Sequence, residues 1–195
     1  MEYKLFDQPH SHDAEFYKDR EMADHIHQDD HRPRLLQAIE EVMAGITPQD
    51  TICDFGCGNG GLLRELATRI PNKMYGYDMQ PSNVDFAHQQ GSPNVSFVDF
   101  INEPVEYPTI AVVTEVLEHL PDPHGFLRLL RDRGVKHIVA SSPAYETESF
   151  HAPFHLWVWT GNSYADELFK PSGWEVEKAY DHASFHIVRA KSPTT

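Results

Sequence analysis

Two groups of residues in this 195-residue chain have the types and spacing to do chemistry. The first is Asp54-Phe55-Gly56-Cys57-Gly58-Asn59-Gly60, preceded by the apolar run Thr51-Ile52-Cys53 and followed by Leu62-Leu63-Arg64-Glu65-Leu66. A strand that ends in an acidic residue, turns through closely spaced glycines and enters a helix makes a cradle for a small charged molecule. Glycines let the backbone bend sharply and approach a ligand that any Cβ would push away. The first turn of the helix adds unpaired N–H groups. The second group is Glu115, Glu118 and His119, with His151 and His155 some thirty residues on. Carboxylates and imidazoles together suit a divalent ion, and an imidazole alone can take a proton near neutral pH. If Glu115 ends a strand and the next turn is helical, Glu118 and His119 return to one side.

These residues need elements to hold them. Strand patterns fall at residues 51–55, 73–77, 95–98, 109–114 and 135–140, with helical patterns to about Ile70, from Pro81 to His88 and between Asp122 and Arg133. The 109–114 run is almost wholly apolar and β-branched, as for a strand buried on both faces. A helix opened by Pro33 carries Leu35, Leu36, Ile39, Val42, Met43 and Ile46 at helical spacing. Two closing strands, 174–180 and 184–190, flank Asp181-His182-Ala183, and residues 191–195 are expected to fray. Strands alternating with helices predict right-handed βαβ units in an α/β domain, with one antiparallel strand at the end. The expected organisation is an N-terminal helical cap or lid over 1–32 and one domain over 33–191. Within the cap, residues 13–28 read as a polar, His-rich helix. Its histidines, His10, His12, His25, His27 and His31, suit a solvated face or a lid, from which Tyr17, His25, His27 or Arg34 could reach a ligand.

The composition excludes several classes. Lys+Arg number 16 against 30 Asp+Glu, a net charge of −14, and the one basic cluster, Leu127–Arg133, has the spacing of a solvated helix face. Nucleic acid is therefore an unlikely partner and a membrane is not expected. No run approaches the length of a membrane span, the opening residues lack a signal-peptide pattern, and Cys53 and Cys57 read as reduced thiols. The expectation is a cytoplasmic protein, monomer or homodimer.

Two cofactors compete for the glycine loop. Gly56, Gly58 and Gly61 match a dinucleotide loop with Asp78 at ribose distance. Gly56, Gly58 and Gly60 match the loop that holds S-adenosylmethionine. Asp54 favours the second, because that molecule carries an ammonium and a sulfonium whereas a pyrophosphate needs no negative neighbour. Four stretches in order resemble the class I S-adenosylmethionine-dependent methyltransferase superfamily: Asp54–Gly60, Gly76–Met79, Val98–Phe100 and Thr114–Pro123. The resemblance implies a Rossmann-like, doubly wound, mostly parallel seven-stranded sheet with helices on both faces. It also implies S-adenosyl-L-methionine as cofactor, leaving as S-adenosyl-L-homocysteine. Gly56, Cys57, Gly58 and Gly60 would pass under the methionine part, with Asp54 near its ammonium. Asp78 would take the ribose hydroxyls, Met79 would pack on the adenine, Asp99 and Phe100 would meet its amino group and ring, and Glu115 would sit near the sulfur.

The acceptor side stays open at this level. Glu115, Glu118, His119 and His155, with Trp159-Thr160, resemble the metal site of small-RNA 3′-terminal 2′-O-methyltransferases, and the Glu-x-x-Glu-His part is shared with ubiquinone-pathway O-methyltransferases. That likeness implies a divalent metal such as Mg or Mn. Without a metal, His119, His151 or His155 could serve as a general base. Tyr145, Phe150, Phe154, Trp157 and Trp159 could line an acceptor pocket or fill the core. The leading expectation is methyl transfer to an oxygen or nitrogen of a small-molecule acceptor. Metal-dependent methylation of RNA, a non-catalytic binding module and an oxidoreductase are the alternatives.

Overall fold

In the computed structural model, residues 1–5, 25–29, 31–99 and 106–193 are described. The strands are β1 Glu2–Lys4, β2 Ile52–Phe55, β3 Met74–Asp78, β4 Val95–Asp99, β5 Ile110–Thr114, β6 His137–Pro143, β7 Trp157–Trp159, β8 Glu175–His182 and β9 Phe185–Lys191. The α-helices are α1 Arg32–Met43, α2 Gly61–Ala67, α3 Pro81–Gln90 and α4 Pro123–Asp132. Seven strands form one sheet in the order β4-β3-β2-β5-β6-β9-β8, and β9 alone runs against its neighbours. The α/β fold class expected from the alternating pattern is what the structure has.

Period-two alternation in the buried strands splits the core in two. Cys53, Phe55, Tyr75, Tyr77, Ala111 and Val113 pack on one face with Leu127 and Leu130 of α4. Ile52, Met74, Ile110, Val112 and Val139 pack on the other with α1, α2 and α3, through Ile39, Leu63 and Ala87 among others. Strand order reverses between β2 and β5. Their carboxyl ends carry Asp54 and Glu115, so both groups of chemical interest lie at the point where an open α/β sheet forms a crevice.

Two features depart from the sequence reading, and one expectation lies mostly outside the described residues. The opening residues are not helical: β1 pairs antiparallel with β7, Glu2 against Trp159 and Lys4 against Trp157. Most of the 13–28 helix, with Tyr17, lies outside the described residues; its described end is a short turn, His25–His27, with Ile26 buried. A π-helical segment, Tyr164–Phe169, follows β7 and buries Leu168 and Phe169. Trp159 is wholly buried, which makes it core, whereas Tyr145 and Phe150 are exposed.

Candidate functional site

The glycine loop is pinned from both sides. Gly56 and Cys57 donate their N–H groups to the Tyr77 carbonyl at 2.7 and 3.0 Å, anchoring the loop on β3. Gly58 N–H donates to Asp78 Oδ2 at 2.8 Å. The other carboxylate oxygen of Asp78 accepts from Gln80 N–H at 2.8 Å and from Asn83 Nδ2 at 3.2 Å. Asp78 thus ties the loops after β2 and β3 together, and Oδ2, with its single donor, keeps a second lone pair for a ligand hydroxyl. Met79 beside it is exposed. The side chain of Asp99, and Phe100 altogether, lie outside the described residues. Cys57 is buried, and burial first, then Asp54 and Asp78, push its thiol well above the ordinary value, so it is no nucleophile.

Asp54 is 2% exposed, and its Oδ1 has no hydrogen-bond partner among the described residues. Burial, with the Asp78 charge behind it, raises its pKa to about 8 against the pull of Arg34. A buried carboxyl in that condition is matched by a cationic ligand. Binding of S-adenosylhomocysteine, which keeps the ammonium, is then expected to drive a proton off Asp54. Affinity should rise with pH up to about 8, by at most tenfold per unit. Calorimetry near neutral pH should show a binding enthalpy that tracks the buffer's ionisation enthalpy, and Asp54→Asn should remove that dependence. Equal enthalpies in phosphate and Tris would contradict it. For the free protein the sign is fixed too. The folded value lies above the unfolded one, so the contribution of Asp54 to stability is full at acid pH and is lost as pH rises through about 8.

The second group forms where β5 ends. Glu115 has φ +56°, a left-handed conformation uncommon outside glycine. Its carboxylate accepts from Ser141 Oγ at 2.9 Å and lies 3.6 Å from Nη1 of Arg34. Arg34, 2% exposed on α1, donates to the same hydroxyl at 3.3 Å and stacks over Phe185. Glu118 is fully buried; one oxygen accepts from Ser142 Oγ at 3.3 Å and the other, Oε1, has no partner among the described residues. Burial, then the Glu115 charge, holds its carboxyl well above the usual range. The ring of His155 lies against that of His119, centroids 4.7 Å apart.

Ligand-capable atoms of Glu118, His119 and His155 all lie within 4.8 Å of one another. The structure therefore brings three of the four expected metal-site residues together. Glu115 is not in that set; its carboxylate accepts from Ser141 and lies beside Arg34. His151 also stays apart, its Nδ1 directed to the Ala152 carbonyl at 2.9 Å. Sequence reasoning missed Glu146, a buried carboxylate 2.6 Å from His155 Nδ1. Nothing local marks a glutamate in a loop as buried; the three-residue spacings that exposed Glu118 have no counterpart there.

The profile of a family described as "Methyltransferase domain" matches residues 20–189. A ubiquinone biosynthesis O-methyltransferase of Proteus mirabilis (strain HI4320) is 34% identical over 104 residues, 49% of this chain and 42% of that protein. The chain thus matches less than half the length of that relative. Among solved structures, the N-methyltransferase NodS from Bradyrhizobium japonicum WM9, in complex with S-adenosyl-L-homocysteine, superposes with a TM-score of 0.70 at 15% identity, over 93% of this chain and 97% of that one. The [4+2]-cyclase SpnF superposes with 0.69 at 13% identity, over 87% and 86%. The fold by itself therefore does not fix the chemistry. The family match spans both the glycine loop and the cluster after β5, and it identifies the chain as a member of the methyltransferase-domain family, a class I S-adenosylmethionine-dependent methyltransferase.

Proposed function

We propose that this enzyme transfers the methyl group to an oxygen or nitrogen of a small-molecule acceptor presented over Glu118, His119 and His155. The observation that carries the reading is the cluster itself: three proton- or cation-binding side chains within 4.8 Å, one turn beyond the residue that ends β5. Methyl transfer from a sulfonium is an in-line displacement, and alignment of donor and acceptor supplies much of the acceleration. A base is needed only where the acceptor must lose a proton as it reacts, and imidazoles beside the acceptor meet that need. The net charge of −14 disfavours polyanionic acceptors.

A second reading gives the cluster a divalent metal such as Mg or Mn. The fully buried Glu118 Oε1 without a described partner supports it, and one carboxylate with two imidazoles is a donor set that suits such ions. Glu118, His119 and His155 would hold the ion, which would orient a hydroxyl and ease its deprotonation. Metal-dependent methylation of RNA is the form of this reading that the acid surface counts against.

One experiment separates these readings. With S-adenosylmethionine labelled in the methyl group, a cell extract is divided into low-molecular-mass, RNA and protein fractions, each assayed with and without chelator. The expected result is label in the low-molecular-mass fraction. Label confined to RNA or protein would overturn the acceptor class. Undiminished transfer in excess chelator would overturn the metal and leave the acceptor class standing.

A further inference from the structure

We propose that Glu146 is a positioning residue for the acceptor-side cluster: its carboxylate holds His155 with the proton on Nδ1, so that Nε2 carries the lone pair that His155 contributes to the cluster it forms with Glu118 and His119. This rests on the reading that the cluster prepares the acceptor.

Glu146 lies in the loop after β6, yet is 3% exposed. Loop residues ordinarily run over the surface, and a carboxylate taken out of water is costly unless its oxygens are satisfied. Both are. Oε1 accepts from Ala152 N–H at 2.9 Å, and Oε2 lies 2.6 Å from Nδ1 of His155. A carboxylate so placed accepts, so Nδ1 must carry a proton. In the neutral ring the lone pair is then on Nε2. His119 is arranged in the same sense, its Nδ1 3.3 Å from the Phe154 carbonyl oxygen. Two neighbouring imidazoles thus each direct Nδ1 at an oxygen acceptor. A second oxygen that fixes the ring of a functional histidine sets both its tautomer and its aim.

Glu146 also closes its own loop. Thr147 and Phe150 exchange main-chain hydrogen bonds at 2.8 and 3.1 Å, and Ala152 is tied back to the carboxylate. From the other side, Leu156 N–H donates to the Glu118 carbonyl at 2.7 Å. His155 is therefore held between two anchors, one on each flank; its ring packs against those of His119 and Phe154, and Glu146 adds the hydrogen bond at Nδ1. That separates the proposal from a purely structural tie. A loop tie needs one acceptor for Ala152; a positioning role needs the second oxygen as well.

Glu146→Gln tests this, because an amide keeps the size and one acceptor oxygen but cannot accept from both Ala152 and His155. The ring nitrogens of His155 are read by ¹⁵N NMR, with the signal assigned by its absence in His155→Asn. The expected result is Nδ1–H in the wild type and a mixed tautomer in Glu146→Gln. Binding of S-adenosylhomocysteine and the melting temperature should stay close to wild type, and Glu146→Asp should restore part of the tautomer preference even if Gln disturbs the loop. Titration with Mn²⁺, followed by the loss of its free-ion resonance, should show binding roughly 10–100-fold weaker in Glu146→Gln. An Nε2–H tautomer in the wild type, or an unchanged tautomer in Glu146→Gln, would overturn the proposal. No Mn²⁺ binding by the wild type, with the tautomer shift present, would overturn the metal and support the positioning role.

Discussion

Gly58→Ala is expected to fold and to lose the cofactor. Three glycines of the loop have positive φ, +78° at Gly56, +53° at Gly58 and +78° at Gly60, so each resists an L side chain. They differ in what a Cβ would meet. At Gly56 it would come 2.5 Å from Val116 Cγ2, and at Gly60 it would collide with the ring of Phe97, itself in the core. At Gly58, beyond its two chain neighbours, no atom of the described residues lies within 4 Å of that position. The protein itself therefore does not require the missing side chain at Gly58 for packing, while the Gly58 N–H binds the carboxylate of Asp78. Alanine there should cost only the left-handed strain, about 1–2 kcal/mol, a fall of several degrees in Tm. Affinity for S-adenosylhomocysteine should fall at least ~100-fold, or about 2.7 kcal/mol. Gly161→Ala supplies the control, with φ +57° and likewise no atom of the described residues within 4 Å beyond its chain neighbours, but outside the loop. Calorimetry and thermal melts on the two variants decide the matter. Equal affinities would mean that the space at Gly58 is not the cofactor's.

That contrast also shows how far sequence carries. The spacing of Gly56, Gly58 and Gly60 marked the loop, because backbone that must turn left-handed beside a ligand admits few residue types. Which glycine serves the ligand and which serves Phe97 is a matter of tertiary contact, invisible in the spacing. The same division runs through the fold. The unbroken run at Ile110–Thr114 and its counterparts announced buried parallel strands, and the Glu118-His119 step survived because a helical turn is a local rule. The β1–β7 pair joins Glu2 to Trp159 across almost the whole chain, and no local pattern specifies such a register. The Tyr164–Phe169 π-helix has too few residues to establish a period. Arg34 and Glu146 defeat pattern reading for one reason: charged types are presumed solvated, and only the partners brought by folding make burial tolerable.

Replacing Arg34 by Met is expected to be among the most damaging single changes outside the loop, at about 3–5 kcal/mol. The side chain leaves α1, whose Leu35, Ala38, Ile39 and Val42 are fixed in the core, and reaches the edge where β2 and β5 end. There it lowers the pKa of Asp54, Glu115 and Glu118 together against burial, which raises all three. Methionine fills similar volume and removes the cation, leaving carboxyls to repel one another in a dry site. The deficit should depend on pH with a definite sign. Arg34 stabilises the ionised form of Glu115, so its loss matters most where that carboxyl is charged, and the gap between variant and wild type should narrow as pH falls through the raised value. Arg34→Lys should recover only part of the loss, since an ammonium keeps the charge but lacks the planar group that stacks on Phe185 while donating to Ser141. Denaturant unfolding of the three proteins at neutral and acid pH measures each of these differences. A Met variant as stable as wild type at neutral pH would mean that the carboxyls are already protonated there, and that Arg34 is held by packing rather than by charge.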